Sequence, residues 1–170
     1  MASLFPEAGE QRCWNHRTLN VLDRVSKRLQ PRAKVWLGQL MYAPTREQAS
    51  ELKGKFQAWC TQRGCPEAGR LLEEDWERLV AYYDLPKEHW KHLRTTNPVE
   101  SPFAAVRLRT NAAKRYKKVE NATAVIWKTL MVAEGNFRKL NAPELLAEVA
   151  AGATYVNGGR QRAAQEKVAA

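Results

Sequence analysis

Two short pairs of potential metal ligands lie far apart in the sequence. Cys13 and His16 are separated by two residues, and so are His89 and His92. One thiolate and three imidazoles could bind Zn²⁺ tetrahedrally, because zinc prefers sulfur and nitrogen ligands. Pairs of this kind are also common where no metal binds, so we favour a buried thiol and hydrogen-bonded imidazoles. A small domain held together by zinc is the alternative.

A third group of residues centres on one carboxylate, Glu100. Asn97 followed by Pro98 is typical of a helix start, and Glu100 could then bond the amide of Asn97. Pro102 would cost such a helix one backbone hydrogen bond, so Ser101 is an alternative N-cap. In that second arrangement Glu100 lies just before a helix end, where a carboxylate would suit a divalent cation that holds a phosphate. The residues leave both arrangements open.

Basic residues follow Glu100 on the same predicted helix. Glu100 and Arg107 are seven residues apart, which places both side chains on one helix face. The positive surface continues through Arg109, Lys114, Arg115, Lys117 and Lys118. Runs of charge usually just face solvent, but the grouping of these cations around one carboxylate favours contact with the phosphate backbone of a nucleic acid.

The composition points to a polyanionic partner. The 170 residues include 28 Lys or Arg against 18 Asp or Glu, and the formal charge is +10. Apolar residues make up 44%, which supports a folded core and excludes wholesale disorder. No apolar run approaches the roughly 20 residues of a membrane span. The start lacks a signal-peptide pattern and the three Cys cannot all pair, so we expect a cytoplasmic protein with no membrane partner.

Hydrophobic periodicity predicts a mainly helical fold with minor β structure. A short strand end is predicted at residues 11–15. Helices are predicted over residues 18–29, 31–41, 45–63 and 69–83, then to about residue 113, and over 121–140 and 144–151. Thr45 and Gln48 form the capping box of the third helix, and the acids of the fourth, Asp75 included, are expected on its solvated face. Residues 31–90 are predicted to form a helical module of their own.

Several sequence segments together match one family. The longest, residues 88–101, has the sequence EHWKHLRTTNPVES. The others are residues 11–16, 20–23, 82–84, 103, 106–110 and 138–141. From about residue 4 to residue 158 the chain closely resembles the C-terminal part of bacterial Mutator-type insertion-sequence transposases.

This resemblance implies a DDE enzyme with a ribonuclease-H-like core, in which two Asp and one Glu bind two Mg²⁺ or Mn²⁺ ions. It implies that Glu100 is the third of these carboxylates and that Cys13 and His16 form the family's Cys-x2-His element. The implied fold is the C-terminal portion of that catalytic core with an all-helical insertion. Its domains would be a partial core segment at residues 1–30, the insertion at 31–90, core helices carrying the Glu at 91–157 and a flexible tail at 158–170.

The aspartates depart from the family's pattern. Both catalytic Asp of the family precede the Cys-x2-His element, whereas Asp23, Asp75 and Asp84 all follow it here. We therefore expect a truncated transposase that lacks both catalytic Asp. Because one carboxylate cannot assemble a two-metal site, we expect little or no strand transfer from this chain alone.

The function implied by the resemblance is DNA transposition, with the DNA of the element ends as partner. Arg94, Arg107 and Arg109 are then expected to contact phosphates. The alternative is a non-catalytic DNA-binding or assembly module that modulates a full-length transposase. Missing core strands would leave an open sheet edge and an uncovered apolar face, so self-association is also expected.

Overall fold

The structure is mainly helical, as predicted, with one small antiparallel hairpin. It is a computed structural model that describes residues 9–161, apart from the side chains of residues 97–99. The described helices are α1 (Trp14–Leu22), α2 (Gln30–Met41), α3 (Arg46–Gln62), α4 (Pro66–Glu74), α5 (Trp76–Val80), α6 (Trp90–Leu93), α7 (Asn97–Ala112), α8 (Val119–Glu134) and α9 (Leu145–Ala150). Two 3₁₀ turns, Ala81–Asp84 and Lys87–His89, lie between α5 and α6, and strands β1 (Tyr155–Val156) and β2 (Gly159–Arg160) follow α9. No helix within residues 9–161 is long and apolar enough to cross a membrane.

The chain divides into two compact units. Unit 1 consists, in the described chain, of residues 9–94 and 141–161, and unit 2 of residues 95–140. The terminal residues 1–8 and 162–170, which belong to the predicted core segment and tail, lie outside the described residues.

The core of unit 1 forms where α1, α2, α3 and α4 pack on one another. Trp14, Leu37, Phe56 and Leu72 are fully buried there, each removed from water by neighbours on other helices. Burial of such side chains stabilises the fold by roughly 25 cal/mol per Å² of apolar surface. The indole Nε1 of Trp14 donates to the Leu79 carbonyl at 2.8 Å, so this buried polar group also has a partner.

The third predicted helix is confirmed together with its start and stop signals. Thr45 Oγ1 accepts a hydrogen bond from the Gln48 amide at 3.2 Å, which caps α3. At the other end Gly64 has φ +74°, and the Cys65 amide returns to the Cys60 carbonyl at 2.9 Å. This left-handed glycine and backward bond form a Schellman motif. The second helix is confirmed within one residue.

The first and fourth predicted helices need correction. No strand forms at residues 11–15: α1 begins at Trp14, whose amide donates to the Arg94 carbonyl at 2.8 Å, and it ends at Leu22. The fourth helix is interrupted at Asp75, between α4 and α5. Asp75 is buried rather than solvated, because its carboxylate forms an ion pair with the buried Arg17. A buried charge is tolerated only with such a partner.

The hairpin crosses the predicted boundary at residue 158, with β1 in the predicted core segment 91–157 and β2 in the predicted tail. Asn157 and Gly158 connect its strands with φ +50° and +78°, as a two-residue turn of the type I′ class requires. A Cβ on Gly158 would lie 2.6 Å from Lys87 Cβ and 2.8 Å from Trp90 Cζ2. Only glycine fits this contact, so the turn is held against residues 87–90.

Unit 2 is a pair of helices, α7 and α8, packed on each other. Helix α7 begins at Asn97, with Thr96 as N-cap, and Pro102 lies inside it. The alternative start with Ser101 as N-cap is therefore not adopted. In the described part of unit 2 the buried residues are Pro102 and Val106, and α8 buries none. This unit therefore has almost no core.

Candidate functional site

Glu100 lies in the first turn of α7, with its side chain half-buried. The Thr96 hydroxyl donates to Glu100 Oε1, and the Glu100 amide donates to the Thr96 carbonyl at 3.0 Å. A negative charge is favourable here, because the positive end of the helix dipole faces it. The carboxylate is thus fixed near the helix start and is not enclosed in an apolar interior. The alternative bond between Glu100 and the Asn97 amide stays a prediction.

The described residues do not by themselves form a metal centre around Glu100. Within residues 9–161 no three His, Cys, Asp or Glu side chains are grouped so that they could hold an ion. Asp75 is taken up by Arg17, and Asp84 Oδ2 lies 3.1 Å from Arg46 Nη1. A divalent cation needs several oxygen ligands, so one carboxylate does not fit a two-metal site.

The four residues considered as zinc ligands are likewise not assembled into a metal-binding group. His89 is buried, with Nε2 3.1 Å from the Ala142 carbonyl. His92 Nε2 accepts a hydrogen bond from the Asn141 amide at 3.3 Å. Cys13 is buried at the start of α1, and His16 is exposed on the same helix. In the structure Cys13 is thus a buried thiol, and His89 and His92 are hydrogen-bonded imidazoles.

The other two cysteines are also buried free thiols. Burial, with a smaller contribution from the neighbouring Cys65, raises the pKa of Cys60 to about 12. Cys60 is therefore a protonated thiol at neutral pH, which is neither a nucleophile nor a good metal ligand.

Arg94 lies among aromatic rings of unit 1. Its Cζ is 4.8 Å from the ring centre of Tyr82, 5.1 Å from Tyr42 and 5.3 Å from Trp90. Each distance is within the range of a cation–π contact, so the guanidinium stabilises this end of unit 1. A phosphate contact from Arg94 stays a prediction.

The remaining predicted DNA contacts form what we call the cationic ridge of unit 2. Its members are exposed and lie on α7 or on the connection to α8: Arg107, Arg109, Lys114, Arg115, Lys117 and Lys118. In the described part of the chain none of them has an acidic partner within ion-pair distance. Residues 95–140 contain nine Lys or Arg against three Glu. Cations left without counter-charges produce a positive potential that attracts polyanions.

Helix α7 joins the carboxylate to the ridge. It is continuous from Asn97 to Ala112, so Glu100 and Arg107 share one face about 10 Å apart along the helix axis. A backbone phosphate bound near Arg107 would lie within two helical turns of the carboxylate. The arrangement can therefore bind a phosphodiester strand and present one carboxylate beside it.

A second basic site, which was not predicted from the sequence, lies in unit 1. A cavity of about 500 Å³ is lined by Arg28, Leu29, Arg32, Trp59 and Arg63. Arg28 and Arg32 are four residues apart, as are Trp59 and Arg63. Side chains at this spacing lie on the same face of a helical segment. That spacing was the available signal, but only the packing of α2 on α3 brings the two pairs together.

Comparison with known proteins identifies clear relatives. The model of a family described as "Transposase, Mutator family" matches residues 1–139. The chain is 38% identical over 154 residues to the transposase for insertion sequence element IST2 of Acidithiobacillus ferrooxidans, covering 91% of this chain and 52% of that protein. It is 37% identical over 155 residues to the transposase for IS6120 of Mycolicibacterium smegmatis, covering 91% and 48%. The chain thus spans about half the length of these two relatives. No solved structure matches it.

Proposed function

Because the chain belongs to the Mutator family of transposases, we propose that it takes part in DNA transposition by binding DNA along the cationic ridge of unit 2. The observation that carries this proposal is the set of exposed cations on and after α7 that pair with no acid within residues 9–161. Phosphates that replace the ridge's counterions would release those ions to solvent, which drives association.

Glu100 is, in this proposal, one carboxylate of a phosphoryl-transfer centre. The family resemblance supports it, and so does the half-buried position at the start of α7, on the face that also carries Arg107. In this proposal residues 91–157 belong to the ribonuclease-H-like core and residues 31–90 form its helical insertion. Bound Mg²⁺ or Mn²⁺ would supply Lewis-acid activation at such a centre. The protein's own part is to position the Glu100 carboxylate, through the Thr96 hydroxyl, beside the bound strand.

The chain is proposed not to cut DNA by itself. Its three Asp are Asp23, Asp75 and Asp84, and the last two already have arginine partners. Within residues 9–161 no three His, Cys, Asp or Glu side chains are grouped to hold an ion, whereas a two-metal centre needs several carboxylates.

The same observation favours a second candidate function, a DNA-binding module that does not catalyse. Binding through the ridge needs the cations and does not need Glu100. Such a module could occupy element ends or join the assembly of a longer transposase. Under this second candidate Glu100→Gln leaves DNA affinity unchanged.

DNA binding is tested by removing two cations of the ridge. In Lys117→Gln/Lys118→Gln we expect the slope of log affinity against log salt concentration to decrease by about 2, or about 1 for each phosphate that is no longer neutralised. The measurement is fluorescence anisotropy with a labelled duplex between about 50 and 200 mM salt. The control Lys55→Gln/Lys91→Gln removes the same charge from two exposed positions of unit 1.

Catalysis is tested separately, by incubating the protein with element-end DNA and Mg²⁺ or Mn²⁺. We expect no strand cleavage. Cleavage that disappears in Glu100→Gln would show that a complete centre forms, and would contradict the proposal that the chain does not cut DNA alone.

A further inference from the structure

The cavity in unit 1 lies where three pieces of backbone meet. Arg28 and Leu29 precede α2, Arg32 is in the first turn of α2, and Trp59 and Arg63 are at the C-terminal end of α3. The three arginine side chains are exposed at its rim, and Leu29 and Trp59 are half-buried. The cavity therefore combines a cationic opening with an apolar wall.

These arginines differ from most others in unit 1. Arg17, Arg46 and Arg70 each have a carboxylate partner, but no acid of the described chain forms an ion pair with Arg28, Arg32 or Arg63. Three guanidinium groups around one cavity repel one another unless an anion lies between them. A phosphate meets this requirement well, because the guanidinium fork can donate two parallel hydrogen bonds to its oxygens.

The start of α2, which carries Arg32, adds to this local excess of positive charge. The first turn of α2 contains no acidic residue, and its N-cap residue, Leu29, makes no side-chain cap. A cation in the first turn is unfavourable, because it lies at the positive end of the helix dipole. An anion held by Arg28 and Arg32 would offset both the repulsion and the dipole.

Trp59 fixes the apolar side of the cavity. Its ring stacks on Phe56, with ring centres 5.9 Å apart and an interplanar angle of 22°. The amide of Arg63 donates to the Trp59 carbonyl at 3.1 Å, which joins the ring and the cation through one helical turn. An apolar wall beside guanidinium groups suits a ligand with both an anionic and an apolar part, as in a phosphate with its deoxyribose.

Acidic groups of a second copy fit the cavity less well. The acids are concentrated in residues 67–88, which contain seven. Several of them already pair within their own chain: Glu67 and Glu74 with Arg70, Glu73 with Lys53, Asp75 with Arg17, and Glu77 with Arg46. A DNA backbone, in contrast, brings unneutralised phosphates.

We propose that the cavity lined by Arg28, Arg32, Arg63 and Trp59 binds the phosphate backbone of DNA, as a contact additional to the cationic ridge. The proposal rests on the proposed function, which supplies DNA as the ligand. The surface formed by the start of α2 and the C-terminal end of α3 is then a second DNA-contacting surface of the protein.

The test compares three double variants of the full chain on one probe, a fluorescein-labelled duplex of mixed sequence. Arg28→Gln/Arg32→Gln alters the cavity, Lys117→Gln/Lys118→Gln alters the ridge, and Lys55→Gln/Lys91→Gln is the control with the same change in charge. We expect the cavity variant to bind about tenfold more weakly at about 100 mM salt and to reduce the salt slope by about 2, clearly more than the control. Circular dichroism and the thermal midpoint check that each variant is folded. Arg28 and Arg32 are exposed, and Arg32→Gln alone replaces the double variant if that one unfolds.

Each outcome decides between the two proposals. If the ridge variant weakens binding and the cavity variant matches the control, the cavity proposal is overturned and the proposed function stands. If the cavity variant weakens binding and the ridge variant does not, the cavity proposal holds and the ridge assignment fails. If the duplex does not bind even at low salt, both fail. If sedimentation shows that the cavity variant changes the oligomeric state and not DNA affinity, the cavity binds a second copy and the DNA proposal is overturned.

Discussion

Units 1 and 2 are stabilised in different ways. In unit 1, fully buried side chains such as Trp14 and Leu79 are combined with ion pairs, of which Arg17–Asp75 is the most buried. In unit 2, large apolar side chains such as Leu108 and Trp127 are more than half exposed, and the buried residues of its described part are Pro102 and Val106. Side chains of unit 1 therefore mainly determine stability, whereas those of the ridge can change binding at little cost to the fold.

The largest effect on stability is expected when the Arg17–Asp75 ion pair of unit 1 is broken. In Asp75→Asn the buried Arg17 loses its ion-pair partner, while Arg12 Nε, 3.3 Å from Asp75 Oδ2, also loses a partner. Removing one member of a buried pair leaves an uncompensated charge, so we expect the free energy of unfolding to fall by about 3–5 kcal/mol. Urea denaturation followed by circular dichroism measures it.

Glu77→Gln is the matched control for that substitution. Glu77 is an exposed partner of Arg46, so its loss should cost less than about 1 kcal/mol. Equal effects from the two substitutions would mean that the buried pair is not what distinguishes unit 1.

The next largest effect on stability is expected from shortening a buried leucine of unit 1, with an exposed leucine of unit 2 for comparison. Leu79 is fully buried and Leu108 is 72% exposed. We expect Leu79→Ala to lower the free energy of unfolding by about 2–5 kcal/mol, since it leaves a cavity. Leu108→Ala should change it by less than about 0.5 kcal/mol. A large loss in Leu108→Ala, measured by thermal and urea unfolding, would show that this side chain is packed in solution.

The smallest effect is a dependence on acid pH. Hydrogen bonds from Lys53 and Gln57 hold the pKa of Glu73 below its usual 4.5. A carboxylate whose folded pKa is lowered adds stability above its unfolded pKa and loses it as the pH falls through the folded value. We therefore expect stability to decline below about pH 4.5, with Glu73 contributing a fraction of 1 kcal/mol because its carboxylate is exposed.

Glu73→Gln isolates this contribution. Its loss of stability between about pH 7 and pH 3 should be smaller than that of the unchanged protein. An identical loss, measured by thermal unfolding across this range, would assign the acid sensitivity to other groups such as Glu47 and Glu67, whose pKa values are also lowered by hydrogen bonds.

The sequence predicted those elements whose signals are local. Helix α3 has both a capping threonine and a terminating glycine, so its bounds could be predicted closely. The burial of Asp75 at the break between α4 and α5 could not be predicted, because its partner Arg17 is distant in the sequence. The two-residue strands of the hairpin are too short for any periodicity, although the Asn157–Gly158 pair is a turn signal that could have indicated them.

The candidate site divides in the same way. A run of cations without acids predicted the exposed ridge. Two helices that bury few residues leave their charged side chains exposed to water. The cavity of unit 1 depends on two helices that meet in the fold, and no local pattern contains that meeting. His89 and His92 show the converse, since their spacing suggested a metal but their partners are backbone groups of residues 141 and 142.

Those two histidine contacts have a consequence for how the polypeptide could be altered. The chain leaves unit 1 just after His92 and returns at Asn141, whose amide is 3.3 Å from His92 Nε2. A hydrogen bond therefore holds the points where the chain leaves and re-enters unit 1 next to each other. Deleting residues 95–140 would leave two ends that a short linker can rejoin. Inserting residues into that segment would leave the contact between His92 and Asn141 in place.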